Sequence, residues 1–227
     1  MQPSTLMDET RRVSTGRPLN ASRAVNTDSL SQTMHLMGAM MAYPHNTEIF
    51  GENEPADYLY KVVSGSVRTY KILSDGRRQV GGFYLPGDIF GLEFAEEHTL
   101  SAEAISDAKV LVVKRSALSA LAARDPSVAQ QLFALTGREL HRVQDRILLL
   151  IKNARERVAS FLLEMAERAS ENNTIDLPMS RQDIADYLGL TIETVSRTLT
   201  SLETASAIEV SPSSRRIVLR NRAALAA

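Results

Sequence analysis

Apolar positions along the chain fall into distinct textures, and each predicts a different kind of element. From about Asn46 to Val113 they come as short β-branched and aromatic runs cut by glycines and turn residues: YLYKVV, SG, SVRTYKIL, SDG, RRQVGGFYL, PGD. Runs of this length, bounded by turn signals, predict a compact all-β domain. Ser74-Asp75-Gly76 reads as a hairpin because glycine accepts positive φ cheaply, and Leu85-Pro86-Gly87-Asp88 reads as a second tight turn. Residues 1 to about 30, rich in Ser, Thr, Asn and Arg and without apolar periodicity, predict a flexible arm with no secretion signal.

At Asp125-Pro126 an acidic residue precedes a proline suited to the first helical position, and a long helix is predicted to begin. Val128, Leu132, Leu135, then Leu140, Val143, Ile147 and Leu150 or Ile151 recur at three- and four-residue steps, with Arg138, Glu139, Arg142 and Arg146 between them. Such a stripe suits a helix paired with its twin, and Leu132, Leu135, Leu140, Val143, Ile147 and Leu150 are the candidate dimer interface. Packing of the helix on its own domain is the alternative, and the break in register between Leu135 and Leu140 keeps both open.

A further amphipathic helix, about Ala154 to Ala169, leads into the polar turn Ser170-Glu171-Asn172-Asn173 and a second domain. Its tail, Ile208-Glu209-Val210 followed by a polar turn and Arg216-Ile217-Val218-Leu219, predicts a β-hairpin. Domain boundaries follow: arm 1–30, β domain 31–124, long helix 125–152 and C-terminal domain 153–227.

Residues 180–203, SRQDIADYLGLTIETVSRTLTSLE, have the spacing of two helices joined by a tight turn. Ser180 with Asp183 three residues on predicts a capping box, while Ile184 and Leu188 give the first helix one apolar face. Gly189 permits a left-handed turn, and the small Ala185 lets the second helix cross closely. Thr191 is the expected N-cap of the second helix, whose Ile192, Val195, Leu199 and Leu202 fall on one stripe. Glu193, Ser196 and Arg197 share another face. In a DNA major groove a guanidinium matches guanine O6 and N7, a carboxylate accepts from cytosine N4, and a hydroxyl bonds phosphate or base. An exposed Glu-Arg ion pair on an ordinary helix hairpin is the plain alternative. The combined Ala and Gly spacing, the apolar positions on both helices, and the Arg215, Arg216, Arg220 and Arg222 of the hairpin region, expected to meet phosphates, favour a winged helix bound to duplex DNA.

Composition narrows the picture. The 26 basic and 27 acidic residues leave a net charge of −1, so DNA affinity must come from a local surface. With no cysteine there is no disulfide, Cys-ligated zinc or iron–sulfur cluster, and no apolar run is long enough to cross a bilayer, so a cytoplasmic protein without membrane contact is expected. His35, His45, His98 and His141 are scattered singly and read as surface or hydrogen-bonded side chains rather than ligands of haem or metal.

Across nearly its whole length the sequence resembles the CRP/FNR superfamily of bacterial transcription regulators. YLYKVVSGSVRTYK and LPGDIFGLE stand at the matching turns of a β-roll like the cyclic-nucleotide-binding domain, and LPMSRQDIADYLGLTIETVSRTLTSLE is similar to the FixK branch. The resemblance implies an α+β chain: N-terminal β-roll, long dimerisation helix, C-terminal winged helix-turn-helix. It also implies a homodimeric, non-enzymatic activator that touches RNA polymerase and serves genes of low-oxygen respiration and nitrogen fixation. Glu193, Ser196 and Arg197 match the E-x-x-S-R triad with which FNR-like proteins read a TTGA-N6-TCAA palindrome, and Ile192 sits where a thymine methyl is within reach. Thr191, Thr194, Arg181 and Ser180 complete the expected DNA-facing set. Thr198 departs from the pattern, standing where an apolar residue is usual, which predicts looser packing.

Cyclic-AMP-binding relatives hold the phosphate with an arginine and an adjacent hydroxyl, and the ribose with a glutamate. Here Ser101 and Glu93 are present, but Leu100 takes the arginine's place and no Lys or Arg occurs between Arg78 and Lys109. A phosphodiester set among Glu93, Glu96, Glu97 and Glu103 without a cation would be repelled, and losing that charge-assisted bond forfeits about 2–3 kcal/mol. No cofactor and no small-molecule effector are therefore expected. An effector-gated regulator with an unknown β-roll ligand is the rival within the family, and a β-roll metalloenzyme the rival outside it. Ser180 stands where some FixK-type proteins carry a cysteine, so it is the expected modification position, read as a cysteine replaced by serine.

Overall fold

A computed structural model describes residues 28–93, 95–149, 151–171, 173–211 and 215–226. The arm predicted for residues 1–30 lies largely outside the described residues; its last three belong to helix α1 (Asp28–Met37), where Leu30 is buried. Leu30 and Met34, four residues apart on one face, pack against Leu111, Val113 and Val128, and the Leu30 amide donates to Gln131 Oε1 at 2.8 Å. The chain then turns into the β domain at Gly38, where a Cβ would lie 2.8 Å from the Met34 carbonyl oxygen and from the Val113 side chain.

Eight strands build that domain: β1 (Ala39–Tyr43), β2 (Glu48–Phe50), β3 (Tyr58–Ser64), β4 (Val67–Ile72), β5 (Arg78–Tyr84), β6 (Ile89–Phe90), β7 (Ser101–Ala104) and β8 (Ala108–Lys114). They form two antiparallel four-stranded sheets, ordered β1-β8-β3-β6 and β2-β7-β4-β5. Val62, Val67, Val110, Ala102 and Ala104 have no accessible surface and fill the space between the sheets with Phe50, Tyr60 and Phe90. The hairpin at Ser74-Asp75-Gly76 forms as expected, with Gly76 at φ 83° and its amide donating to the Leu73 carbonyl. Gly87 of the second turn is at φ 96°.

Helix α2 (Arg115–Ala122) closes the β-roll, and the long helix α3 (Pro126–Leu149) follows, its start where Asp125-Pro126 predicts it. Two overlapping stripes run along α3. Val128, Leu132 and Leu135 pack with Leu118 and Leu121 of their own domain. Phe133, Leu140 and Ile147, seven residues apart, are 81%, 57% and 58% exposed, and Val143 is 49% exposed beside them. The break in the sequence pattern is the handover between these faces. Leu132 and Leu135, expected at a dimer seam, owe their partial burial to their own domain. Leu150 lies outside the described residues, whereas Ile151 is 86% exposed.

The C-terminal domain comprises α4 (Ala154–Ala169), β9 (Ser170–Glu171), β10 (Thr174–Asp176), α5 (Arg181–Leu188), α6 (Ile192–Thr204), β11 (Ile208–Val210), β12 (Arg216–Leu219) and α7 (Arg222–Ala226). The expected tail hairpin is the pair β11–β12, and it extends into a four-stranded sheet, β11-β12-β10-β9. The segment read as a plain polar turn therefore contains strand β9, which pairs with β10 across a bend that includes Asn173 at φ 59°. Phe161, Leu162, Ile175, Val195, Leu202 and Ile217 form the core, and Val80, Phe83 and Ile105 of the β-roll belong to the same cluster. One apolar interior thus joins the two domains.

Candidate nucleic-acid interface

Ser180 is the N-cap of α5 in a complete capping box: its hydroxyl accepts from the Asp183 amide at 3.1 Å and donates to Asp183 Oδ2 at 2.7 Å, while its own amide donates to the same oxygen at 2.9 Å. The helix ends at Gly189 in the left-handed region, φ 65°, with the next amide, Leu190, returning to the Ala185 carbonyl. Nothing closer than 3.8 Å would meet a Cβ at Gly189, so the demand for glycine is torsional rather than steric. Ala185 has no accessible surface, as the close crossing of α6 requires. Thr191 caps α6, its Oγ1 accepting from the Thr194 amide at 3.2 Å and lying 3.0 Å from the Thr194 hydroxyl.

Val195, Leu199 and Leu202 are buried, so the rotation of α6 about its axis is fixed and the opposite face is turned out. Glu193 and Arg197 are exposed on that face, and Ser196 is half-buried beside them, whereas Ile192, expected on the apolar stripe, is 37% exposed because it stands in the first turn, at the open end of that stripe. The plain alternative of a Glu193–Arg197 ion pair is not realised: the Arg197 guanidinium has no hydrogen-bond or ion-pair partner among the described residues. Glu193 is held below the usual carboxylate range by its own amide, then the Thr191 hydroxyl, with Arg197 adding a weaker attraction. It is thus an anionic acceptor at neutral pH, one helical turn from an uncommitted bidentate donor. Ser180 is exposed, and Arg181 is half-buried at the entrance to the unit. Thr198, despite its hydroxyl, is 9% exposed and sits in the packed face.

Two of the arginines expected to meet phosphates are engaged within the domain. Arg216 pairs with Asp176 at 3.0 Å, Arg220 pairs with Glu209, and Arg222 opens α7. Arg215 is exposed at the turn before β12. In the β-roll, Glu93 Oε2 lies 3.0 Å from Nδ1 of His98, whose ring stacks on Phe50 at 3.6 Å between centroids. His98, read as one of four scattered histidines, is a core residue. Leu100 packs against Gly81, its Cδ1 2.5 Å from where a Cβ would stand. The recess between Gly81, Gly82, Tyr84 and the α3 residues Glu139 and Arg142 holds about 40 Å³.

Comparison with known proteins fits this geometry. A profile described as a Crp-like helix-turn-helix domain matches residues 156–227, and one described as a cyclic nucleotide-binding domain matches residues 40–125. The nitrogen fixation regulation protein FixK of Azorhizobium caulinodans is 51% identical over 201 residues, which are 86% of this chain and 81% of that protein. The chain belongs to the FixK branch of the CRP/FNR transcription regulators. The FixK of Bradyrhizobium diazoefficiens is 40% identical over 82% of this chain and 81% of its own. The solved structure of FixK2 from Bradyrhizobium japonicum superposes with a TM-score of 0.80 at 53% identity, covering 83% of this chain and 96% of that one. As a FixK-type regulator with a helix-turn-helix DNA-binding domain, the protein is not an enzyme. No helix among the described residues is long and apolar enough to cross a membrane.

The sequence reading missed Phe133, although it leads the seven-residue spacing 133, 140, 147. It also missed Arg68 and Arg78, which meet α5 more than a hundred residues further on. No local pattern signals those contacts.

Proposed function

We propose that this FixK-type regulator is a cytoplasmic homodimer that binds a TTGA-N6-TCAA-like palindrome without a small-molecule effector. It activates genes of low-oxygen respiration and nitrogen fixation through contact with RNA polymerase. The observation that carries the reading is the outward face of α6, where the ionised Glu193 and the unpaired Arg197 stand one turn apart on a helix whose rotation its buried side fixes. Arg197 takes guanine, Glu193 takes cytosine, Ile192 meets a thymine methyl, and Ser196 bonds base or phosphate. The hydroxyls of Thr191, Thr194 and Ser180 and the guanidinium of Arg181 lie at helix entrances, where backbone phosphates are favoured.

The seam proposed for the dimer runs through Leu140, Val143, Ile147 and Leu150, with Phe133 added and with Leu132 and Leu135 at its margin. The exposed stripe on α3 supports it, because an isolated chain would leave that much contiguous apolar surface in water. Effector-free action is supported by the β-roll, where Leu100 contacts Gly81 and Glu93 is engaged with His98. Ser180, whose oxygen makes a full capping box, lacks the sulfur on which oxidation acts, so a serine native at this position would remove redox control there.

Selection of bound duplexes from a random pool by the purified chain, with nothing added, tests the reading. Enrichment of a two-fold symmetric site with TTGA arms is expected. An asymmetric or unrelated consensus would reject the base assignments, and no enrichment until a small molecule is supplied would favour the effector-gated rival.

A further inference from the structure

Asp183 is the second partner in the capping box, yet only one of its carboxylate oxygens serves there. The other, Oδ1, accepts from two guanidiniums of the opposite domain: Arg68 Nη1 at 2.6 Å and Arg78 Nη2 at 2.6 Å. Arg78 also donates through Nε to Asp186 Oδ2 at 2.8 Å, and Arg68 through Nη2 to Glu103 Oε2 at 2.8 Å. Gln79 adds a bond from Nε2 to the Asp186 carbonyl at 2.6 Å. Arg68 is 8% exposed and Asp183 4%, so this pair is buried, with Arg78, Asp186 and Glu103 half-buried around it, where charge-assisted bonds are stronger and less screened by salt than at the surface. A buried carboxylate with two planar donors admits few relative orientations of the elements that carry them. The strands β4 and β5 therefore fix the pitch of α5, and α6 follows through the rigid turn at Gly189.

The reading face of α6 stays exposed in this arrangement, so the lattice holds the DNA-reading unit open rather than covering it. We propose that Arg68 and Arg78 are positioning residues which clamp the helix-turn-helix unit in its DNA-competent orientation, doing intramolecularly what a bound effector would otherwise have to do. The proposal rests on the effector-free reading above. The shared apolar core along α4 anchors the domain independently, so loss of the clamp loosens the pitch of α5–α6 without releasing the domain. Operator affinity then falls in proportion to the fraction of molecules in the competent orientation.

The test is fluorescence anisotropy of full-length chains on a TTGA-N6-TCAA duplex and on a scrambled duplex, with thermal unfolding in parallel. Arg78→Met and Gln79→Ala, together, are expected to weaken operator binding roughly tenfold. The salt slope should be unchanged, because no phosphate contact is touched, and Arg78→Lys should restore part of the loss. Arg68→Met is expected to act in the same direction; if it fails to fold, Gln79→Ala alone, which removes no buried charge, carries the test with a smaller loss. Unchanged operator affinity in folded variants, or a gain, overturns the clamp while leaving effector-free action standing. A parent protein that binds no operator unaided overturns both, since the intact lattice would then not confer competence.

Discussion

On the proposed reading of α6, replacing Arg197 by alanine separates base reading from every other role of that helix. Because Arg197 is exposed and has no hydrogen-bond or ion-pair partner among the described residues, its removal leaves no internal group unsatisfied, and folding stability should change by less than about 0.5 kcal/mol. All of the effect should then fall on DNA. A bidentate guanidinium–guanine contact is worth roughly 1–3 kcal/mol, and the proposed two-fold dimer would make two, so the loss is about 2–6 kcal/mol, or roughly 30-fold to 10⁴-fold in affinity. The assay is gel shift or anisotropy with the cognate duplex, with each of the four bases at the guanine position, and over a series of salt concentrations. Affinity for the cognate site should collapse towards that for the substituted sites while the salt slope stays put. If the guanidinium instead met backbone phosphates, the dimer would lose two such contacts and the slope would shrink by about 1.8, with equal weakening on all four duplexes. That outcome would refute the argument from the packed face of α6 to the base edges.

Further expectations follow from the same geometry. Ser180→Ala deletes both hydroxyl bonds of the capping box and should lower unfolding free energy by about 1 kcal/mol in denaturant titration, whereas no change would mean the cap is redundant with the clamp on Asp183. Ile147→Asp sets like charges opposite each other across the proposed seam and should yield folded monomers in sedimentation analysis; a persistent dimer would move the seam elsewhere. Since Glu193 is held below the ordinary carboxylate range, its charge is present at neutral and mildly acidic pH and is lost only as pH falls through that lowered value. Discrimination for cytosine should thus persist at pH 5, and its loss there would show a carboxylate that titrates high. Burial pushes the Tyr187 phenol up to about 12, so the stability it confers is full below the ordinary tyrosine range and declines as pH rises towards 12; ultraviolet titration of the parent against Tyr187→Phe resolves it.

What the sequence disclosed is what short-range chemistry dictates. The capping box, Gly189, the Thr191 cap and the Val195–Leu199–Leu202 stripe all lie within one or two helical turns of each other, so spacing alone placed Glu193 and Arg197 on the outer face. The β-roll hairpins were legible for the same reason. Helix α1 was hidden because its polar, Ser- and Thr-rich segment carries only Leu30 and Met34 on its buried side, too few to outweigh composition. On α3, one stripe packs inward and another faces out, so their superposition read as a single faulty heptad. His98 looked isolated because the ring it stacks on, Phe50, is distant in the chain. Likewise, Arg216 and Arg220 looked available for phosphates because Asp176 and Glu209 reach them only through the pairing of strands.

The outward stripe on α3 also shapes how such a regulator would respond to supply. A protein with no ligand to wait for is tuned by how much of it is made, and if competence requires two copies, the working species at low abundance grows as the square of the protomer concentration. A threefold rise in synthesis then delivers about ninefold more operator-binding species, until the pool saturates. Phe133, Leu140 and Ile147 would in that way turn a gradual change in expression into a sharper genetic response.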